Sequence, residues 1–183
     1  MKVSKISNLI FHNKKHYITQ KFSNKHKAVD YGTYRKKIKQ YAIEDGIVTY
    51  TGLISGGKAV KIKYPRINIE FMHLHLDKIL VKKGQNVNKN TAIGTTGMTG
   101  IATGIHLHLR IKDLKSNKIL DPEEYANTYE EDNHVYYVVK KRDNLSKIAK
   151  KYKMTWQEIY NKNKEIIGDN PNLIRIGQKL LIK

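Results

Sequence analysis

The sequence predicts a mainly β domain, an antiparallel sheet or sandwich, followed by a small α+β module of βααβ order. Three observations carry this. Short apolar runs separated by Gly, Pro and Asn turns crowd between residues 40 and 112. An acidic stretch then breaks the pattern, and residues 135–183 restart it with two runs at helical spacing set between two strand-like runs. Many short strands at close spacing read as an antiparallel sheet and not as βαβ units.

Residues 1–16 are basic and polar, and Tyr17 to Phe22 is a strand candidate. Tyr41-Ala42-Ile43 and Ile47-Val48-Thr49-Tyr50 flank Asp45-Gly46, which reads as a hairpin turn. Ala59–Lys63, Ile67–Phe71, His73–Leu76 and Ile79–Val81 follow, then Val87 and Thr91–Gly94 after turns at Gly84 and Asn90. Gly94, Gly97, Gly100 and Gly104 lack the Gly-Lys-Ser/Thr of a phosphate loop. They are expected to make a tight turn and let backbone pass close to a ligand. Asp121, Glu123, Glu124, Glu130, Glu131 and Asp132 have no basic residue among them. The reading is a domain over residues 1–126, an acidic linker over 127–134 and a module over 135–183. In that module Val135–Val139 is a strand, and Asp143 is expected to cap a helix through Leu145, Ile148, Ala149 and Tyr152. Thr155-Trp156-Gln157-Glu158 is a capping box opening a second helix, and Lys179–Ile182 closes the module as a strand.

The 183 residues are 39% hydrophobic, enough for real cores. With no cysteine, the chain has neither disulfides nor thiolate metal sites, so any zinc must be held by His, Asp or Glu. A net charge of +19 points to a polyanionic partner: nucleic acid, anionic lipid or an anionic wall polymer. A general surplus of Lys alongside Ile and Asn would give the same charge. The apolar run Leu9-Ile10-Phe11 is too short for a secretory signal, and no run is long enough to span a membrane. Synthesis in the cytoplasm without a signal peptide is expected.

The stretch Gly104-Ile105-His106-Leu107-His108-Leu109-Arg110 alternates apolar and polar residues. On a strand, both imidazoles share one face, about 6.5 Å apart. Alone, such a pair fits half a metal site or two histidines satisfied by backbone carbonyls. His26 and Asp30, four residues apart beside Val29, Tyr31 and Gly32, add a nitrogen and a carboxylate. Together they supply what a catalytic zinc needs: two neutral nitrogens, one anionic oxygen and a fourth position for water.

These residues resemble the lysostaphin and LytM type of zinc endopeptidase. The likeness rests on His26-x-x-x-Asp30, on His75-Leu76-Asp77-Lys78-Ile79-Leu80-Val81-Lys82-Lys83-Gly84, and on Gly97-Met98-Thr99-Gly100 and Thr103-Gly104 before His106-Leu107-His108. It implies one Zn²⁺ per catalytic domain, held by His26, Asp30 and His108, with His75 and His106 facing the reacting water and the scissile carbonyl. Ala28 and Asn90 stand where the family usually has glycine, and Leu109 where it has an aromatic residue. His73 is read as a neighbour of His75 on one strand face, and His12, His16 and His134 as surface residues.

Residues 135–183 are similar to a LysM domain, through Tyr137 to Ala149 and through Ile167 to Ile174, with Arg142 for a usual glycine and Ile176 for a usual proline. The resemblance implies a groove for N-acetylglucosamine-containing glycan between Asp143, Asn144 and Leu145 on one side and Asn170, Pro171, Asn172, Leu173 and Ile174 on the other. Asp143 also fits a helix cap, and Leu145 and Ile174 fit a core. The two resemblances converge on one polymer. They imply a peptidoglycan hydrolase, a bacteriolytic and antimicrobial zinc endopeptidase of the phage or prophage endolysin kind, released by a holin-type lesion. Its partners would be the peptide and glycan of the wall and its anionic polymers, with no nucleic acid, no membrane span and a monomeric state. The alternative is a catalytically inactive wall-binding protein.

Overall fold

The computed structural model describes residues 4–131 and 134–183, and the chain divides into two compact units, Met1–Glu130 and Glu131–Lys183. The first opens with α1 (Lys5–Phe11). The Ser4 hydroxyl accepts from the Ser7 N–H, and Ile6, Ile10 and Phe11 are fully buried. The segment read as basic and polar over 1–16 is thus part of the core from Ile6 onward, because one apolar helix face outweighs the surrounding lysines; residues 1–3 lie outside the described residues. His16 is also buried, against its expected surface position. Its Nδ1 donates to the Lys14 carbonyl at 2.7 Å and its Nε2 meets the Ser7 hydroxyl at 2.9 Å. His12 and His134 are exposed.

The strands follow as β1 (Tyr17–Gln20), β2 (Val29–Gly32), β3 (Lys39–Tyr41), β4 (Gly46–Ile54), β5 (Gly57–Tyr64), β6 (Ile69–Leu74), β7 (Asn86–Val87), β8 (Ala92–Thr95), β9 (His106–Asp113) and β10 (Ile119–Leu120). One antiparallel sheet runs β1-β2-β9-β6-β5-β4-β7, with β10 also paired to β9. The expected hairpin across Asp45-Gly46 does not form, since β3 pairs with β8 in a separate ribbon. Glu44 is buried just before the turn, and a Cβ on Gly46 would stand 2.7 Å from the Tyr64 ring. Close packing, not a two-residue reversal, is what requires this glycine.

β9 lies between β2 and β6. Leu107, Leu109 and Ile111 are fully buried with Tyr31, Ile62 and Phe71, while His106, His108 and Arg110 point to the other face. Each such buried aliphatic contributes roughly 1.5–3 kcal/mol, so the strand's register is held from its apolar side. After β10 the Asp121 carboxylate caps α2 (Pro122–Thr128) through the Glu123 N–H at 2.8 Å, and the Tyr31 hydroxyl donates to the Glu123 carboxylate. The linker expected over 127–134 therefore begins later. Tyr129 is buried with its hydroxyl 3.1 Å from Glu44, and Arg66 donates to the Glu130 carbonyl at 2.8 Å. Positions 132 and 133 of that segment lie outside the described residues.

The second unit contains β11 (Tyr136–Val138), α3 (Leu145–Tyr152), α4 (Trp156–Lys162), a further short helix α5 (Lys164–Ile167) and β12 (Lys179–Leu181), with β11 and β12 antiparallel. The Thr155–Glu158 capping box forms. Asn144, and not Asp143, caps α3, accepting from the Lys147 N–H at 2.9 Å. Buried Asn163 ties α4 to β12 by donating to the Leu181 carbonyl and accepting its N–H, at 2.8 and 2.7 Å.

Candidate metal centre

Strand register builds the site. β2 and β9 pair Asp30 with His108 and Gly32 with His106. Directly paired residues share a sheet face, so the aspartate and both histidines stand on the side away from the apolar core. His26 arrives from a turn closed by Ser23, whose N–H donates to the His26 carbonyl at 2.9 Å and whose hydroxyl accepts the His26 N–H at 3.0 Å. His26 Nε2, Asp30 Oδ1 and His108 Nδ1 converge, with separations of 3.3, 2.9 and 3.3 Å. A tetrahedral zinc with ligands at about 2.0–2.1 Å has ligand–ligand edges of about 3.3–3.4 Å. The three atoms thus already stand close to one face of that tetrahedron. Asp30 Oδ1 is buried and has no hydrogen bond. A buried carboxylate oxygen left so is costly unless a cation meets it. The donor set, two imidazoles and a carboxylate, is zinc's own, and the site fits that metal.

His75 reaches the same place by a different device. Leu74, the last residue of β6, pairs with His108, so simple alternation would turn both His73 and His75 to the opposite face. His73 obeys: it is fully buried, its Nδ1 donates to Gln40 Oε1 at 2.7 Å, and burial pushes its pKa down to about 3. His75 does not, because its backbone is left-handed at φ +62°. Reading the two as neighbours on one strand face is corrected accordingly. The His75 ring sits 4.8 Å from that of His106 and 5.6 Å from that of His108, and its Nδ1 meets the Thr99 carbonyl at 2.9 Å. Burial, aided by the two neighbouring imidazoles, lowers its pKa against the opposing pull of that carbonyl.

His106 Nδ1 meets the Gly104 carbonyl at 2.8 Å, and its Nε2 lies 3.7 Å from Asp30 Oδ2. A carbonyl oxygen only accepts, so in His75 and His106 alike Nδ1 carries a hydrogen, which in the neutral tautomer leaves the lone pair on Nε2. The glycines before β9 serve this arrangement. A Cβ on Gly97 would come within 2.3 Å of the Asp77 nitrogen and 2.7 Å of the His75 carbonyl, and one on Gly100 within 2.2 Å of the Gly56 carbonyl. At Gly97 and Gly100 the close approach is made toward protein backbone, while a Cβ on Gly104 would meet open space. Gln40 and the Gly56-Gly57 turn are supporting residues that no sequence motif marked, while Thr99, which holds His75, lies within the Gly97–Gly100 motif.

In the second unit, Asp143 accepts from the Lys140 N–H at 2.7 Å and from the Tyr137 hydroxyl at 2.8 Å, so it closes the turn before α3. Leu145 is buried, and Ile174 packs against the same core. Of the residues assigned to a glycan groove, Asn144, Asn170, Asn172 and Leu173 are exposed and Pro171 is half-buried. The Asn170 side chain accepts the Asn172 N–H at 3.0 Å.

Residues 24–122 match Peptidase family M23, and residues 137–183 match the LysM domain. Peptidoglycan DD-endopeptidase ShyA of Vibrio cholerae is 42% identical over 72 residues, covering 39% of this chain and 16% of ShyA. The chain spans 20% or less of the length of the curated relatives it matches. Among solved structures, a zinc-containing peptidase from Vibrio cholerae superposes with a TM-score of 0.52 at 32% identity, over 57% of this chain and 35% of that one. The catalytic domain of lysostaphin from Staphylococcus simulans superposes with a TM-score of 0.55 at 24% identity, over 68% and 99% of the two chains, which shows the shared fold. The matched segment spans His26, Asp30, His75, His106 and His108, and the chain belongs to Peptidase family M23, a family of zinc metallopeptidases, with a LysM domain at its C-terminal end.

Proposed function

We propose that the protein is a peptidoglycan hydrolase, a zinc-dependent endopeptidase that cuts peptide stems or cross-bridges of the bacterial wall and is held there by its LysM domain. The observation that carries this is the convergence of His26 Nε2, Asp30 Oδ1 and His108 Nδ1 beside two further histidines on one sheet face. The ShyA likeness supports the choice of substrate.

His26, Asp30 and His108 would hold the metal, and His75 and His106 would act on the substrate. Zinc supplies Lewis-acid polarisation of the scissile carbonyl and activates water at neutral pH. Nε2 of His75 or His106, with Nδ1 pinned to a backbone carbonyl, takes the proton of the attacking water. The resulting imidazolium, held against rotation by that same carbonyl, stabilises the developing oxyanion and returns the proton to the leaving amine. Asp30 Oδ2 stands 3.7 Å from His106 Nε2, on the side of the ring away from the Gly104 carbonyl.

Asn144, Asn170, Asn172 and Leu173 are the exposed candidates for glycan contact in the LysM unit, with half-buried Pro171 among them, while Leu145 supports them from the core. The reading extends to a lytic enzyme of the endolysin kind that acts as a monomer. The pairing of wall-cutting and wall-binding modules and the +19 charge, matched to anionic wall polymers, support it. The test is digestion of purified peptidoglycan followed by mass spectrometry of the fragments. New amino termini in the peptide portion, lost with chelator and restored by zinc, are expected. Intact peptides with retained wall binding would leave only a wall-binding protein.

A further inference from the structure

The sheet face that carries the metal-site residues continues beyond them. In its register Asp30 pairs with His108 and His108 with Leu74. Two residues further along β9, Arg110 pairs with Met72, and Met72 with Lys61. The next step pairs Lys112 with Glu70 and with Ile119. Because side chains alternate with period two, all of these stand on the same face as His108, and one step along a strand is about 6.8 Å. Lys61, Glu70, Met72, Arg110, Lys112 and Ile119 line a cleft of about 260 Å³.

The charges in that cleft are unbalanced. Lys61, Arg110 and Lys112 bring three cations and Glu70 one carboxylate, which already accepts the Thr49 hydroxyl at 2.8 Å. The side chain of Arg110 is exposed and makes no hydrogen bond or ion pair among the described residues. The guanidinium fork of Arg110 matches the two oxygens of a carboxylate, and Lys61, two strands away across Met72 with its Nζ 5.9 Å from the Tyr50 ring, adds positive charge to the same cleft. Met72 between them gives an apolar floor on which a peptide stem can lie.

We propose that Arg110 and Lys61 form a carboxylate-binding subsite, which selects peptides carrying a free carboxylate within about two residues of the bond that is cut. The spacing follows from the rise of an extended peptide, about 3.3–3.6 Å per residue, against one strand step from His108 to Arg110. The inference rests on the endopeptidase reading and narrows it, since a wall peptide with its carboxylates converted to amides would lose this contact.

The test uses two cross-linked stem peptides, identical except that the carboxylates flanking the cross-link are free in one and amidated in the other. Each is made with its natural cross-link amide and as an uncleavable ketomethylene analogue. Fluorescence anisotropy with the full zinc-loaded chain should show the free-acid analogue binding about tenfold tighter at low salt, as expected for a charge-assisted contact. R110Q should bring the two affinities within about twofold, with zinc content and melting temperature unchanged. K83Q, which removes the same charge at an exposed position in a turn away from β9, should leave the preference intact. Equal affinities in the unaltered protein, no binding of either analogue, a preference that survives R110Q, or an equal loss in K83Q would each overturn the subsite. Cleavage of the natural peptides separates the two ideas. Preference without cleavage sinks the peptidase and leaves the subsite; cleavage of both without preference does the reverse.

Discussion

His106 and His108 are two residues apart on one strand face, yet the geometry assigns them different work, and alanine at each should expose the difference. His108 Nδ1 stands 2.9 Å from Asp30 Oδ1 and 3.3 Å from His26 Nε2, so H108A removes one of three converging ligand atoms. His106 approaches the cluster only through Nε2, 3.7 Å from Asp30 Oδ2, and its Nδ1 is engaged by Gly104. H106A should therefore keep the three ligand atoms and lose a proton acceptor. Loss of one positioned acid–base group lowers kcat by about 10²–10⁴-fold, which is about 3–5 kcal/mol in the activation barrier. Zinc per chain after dialysis, by mass spectrometry of the metal, should stay near one in H106A and fall toward zero in H108A, while peptide cleavage is lost in both. Equal zinc loss in the two variants, or undiminished turnover in H106A, would refute this division of roles.

Other consequences are equally direct. Removing residues 135–183 should weaken pull-down on purified walls and leave cleavage of soluble peptides largely intact, and unchanged pull-down would reject the targeting role. R66M should destabilise the protein by about 3 kcal/mol, because it leaves the buried Glu44 carboxylate without its guanidinium; urea denaturation measures it, and a loss below 1 kcal/mol would argue against the pair. G97A should lower stability by about 1–3 kcal/mol through the clash with the Asp77 nitrogen and the His75 carbonyl, a melting scan being the check. The pH response of His73 has a definite sign. Its folded pKa, about 3, lies below the ordinary 6.5, so the unfolded chain binds the proton first. Its contribution is complete above about pH 6.5 and is lost as pH falls toward 3, by about 2 kcal/mol between pH 7 and pH 5. The urea midpoint of H73L should fall less steeply over that interval, and parallel curves would contradict the assignment.

Much of the site was legible because it is local. The alternation from Ile105 to Arg110 places His106 and His108 on one face whatever the rest of the chain does. The βααβ order of the last residues was legible for a similar reason, since caps and helical spacing are short-range signals. Asn144 took the cap from Asp143 by a single residue, a choice between adjacent side chains that competing hydrogen bonds decide. Other features were hidden. Ile6, Ile10 and Phe11 sit among lysines and polar residues, so their burial depends on a sheet that forms later in the chain. Tyr129 lies in an acidic stretch that looks like a solvated tether, and its burial with a hydroxyl on Glu44 depends on a partner 85 residues away in sequence. His75 was found by its motif, but its face was not, because one left-handed backbone angle reverses what alternation predicts.

The sequence by itself determined the kinds of ligand, since a chain without cysteine that spaces histidine and aspartate as this one does offers only nitrogen and oxygen donors. It also determined that one strand would present two imidazoles to the same side, a consequence of the two-residue period of extended chain. Only the tertiary structure decided which imidazole joins Asp30. That choice is the register of β2 against β9, and a slip of one residue would turn Asp30 into the core. The register is held by leucine and isoleucine buried on the opposite face, so the metal site is positioned by side chains that take no part in its chemistry.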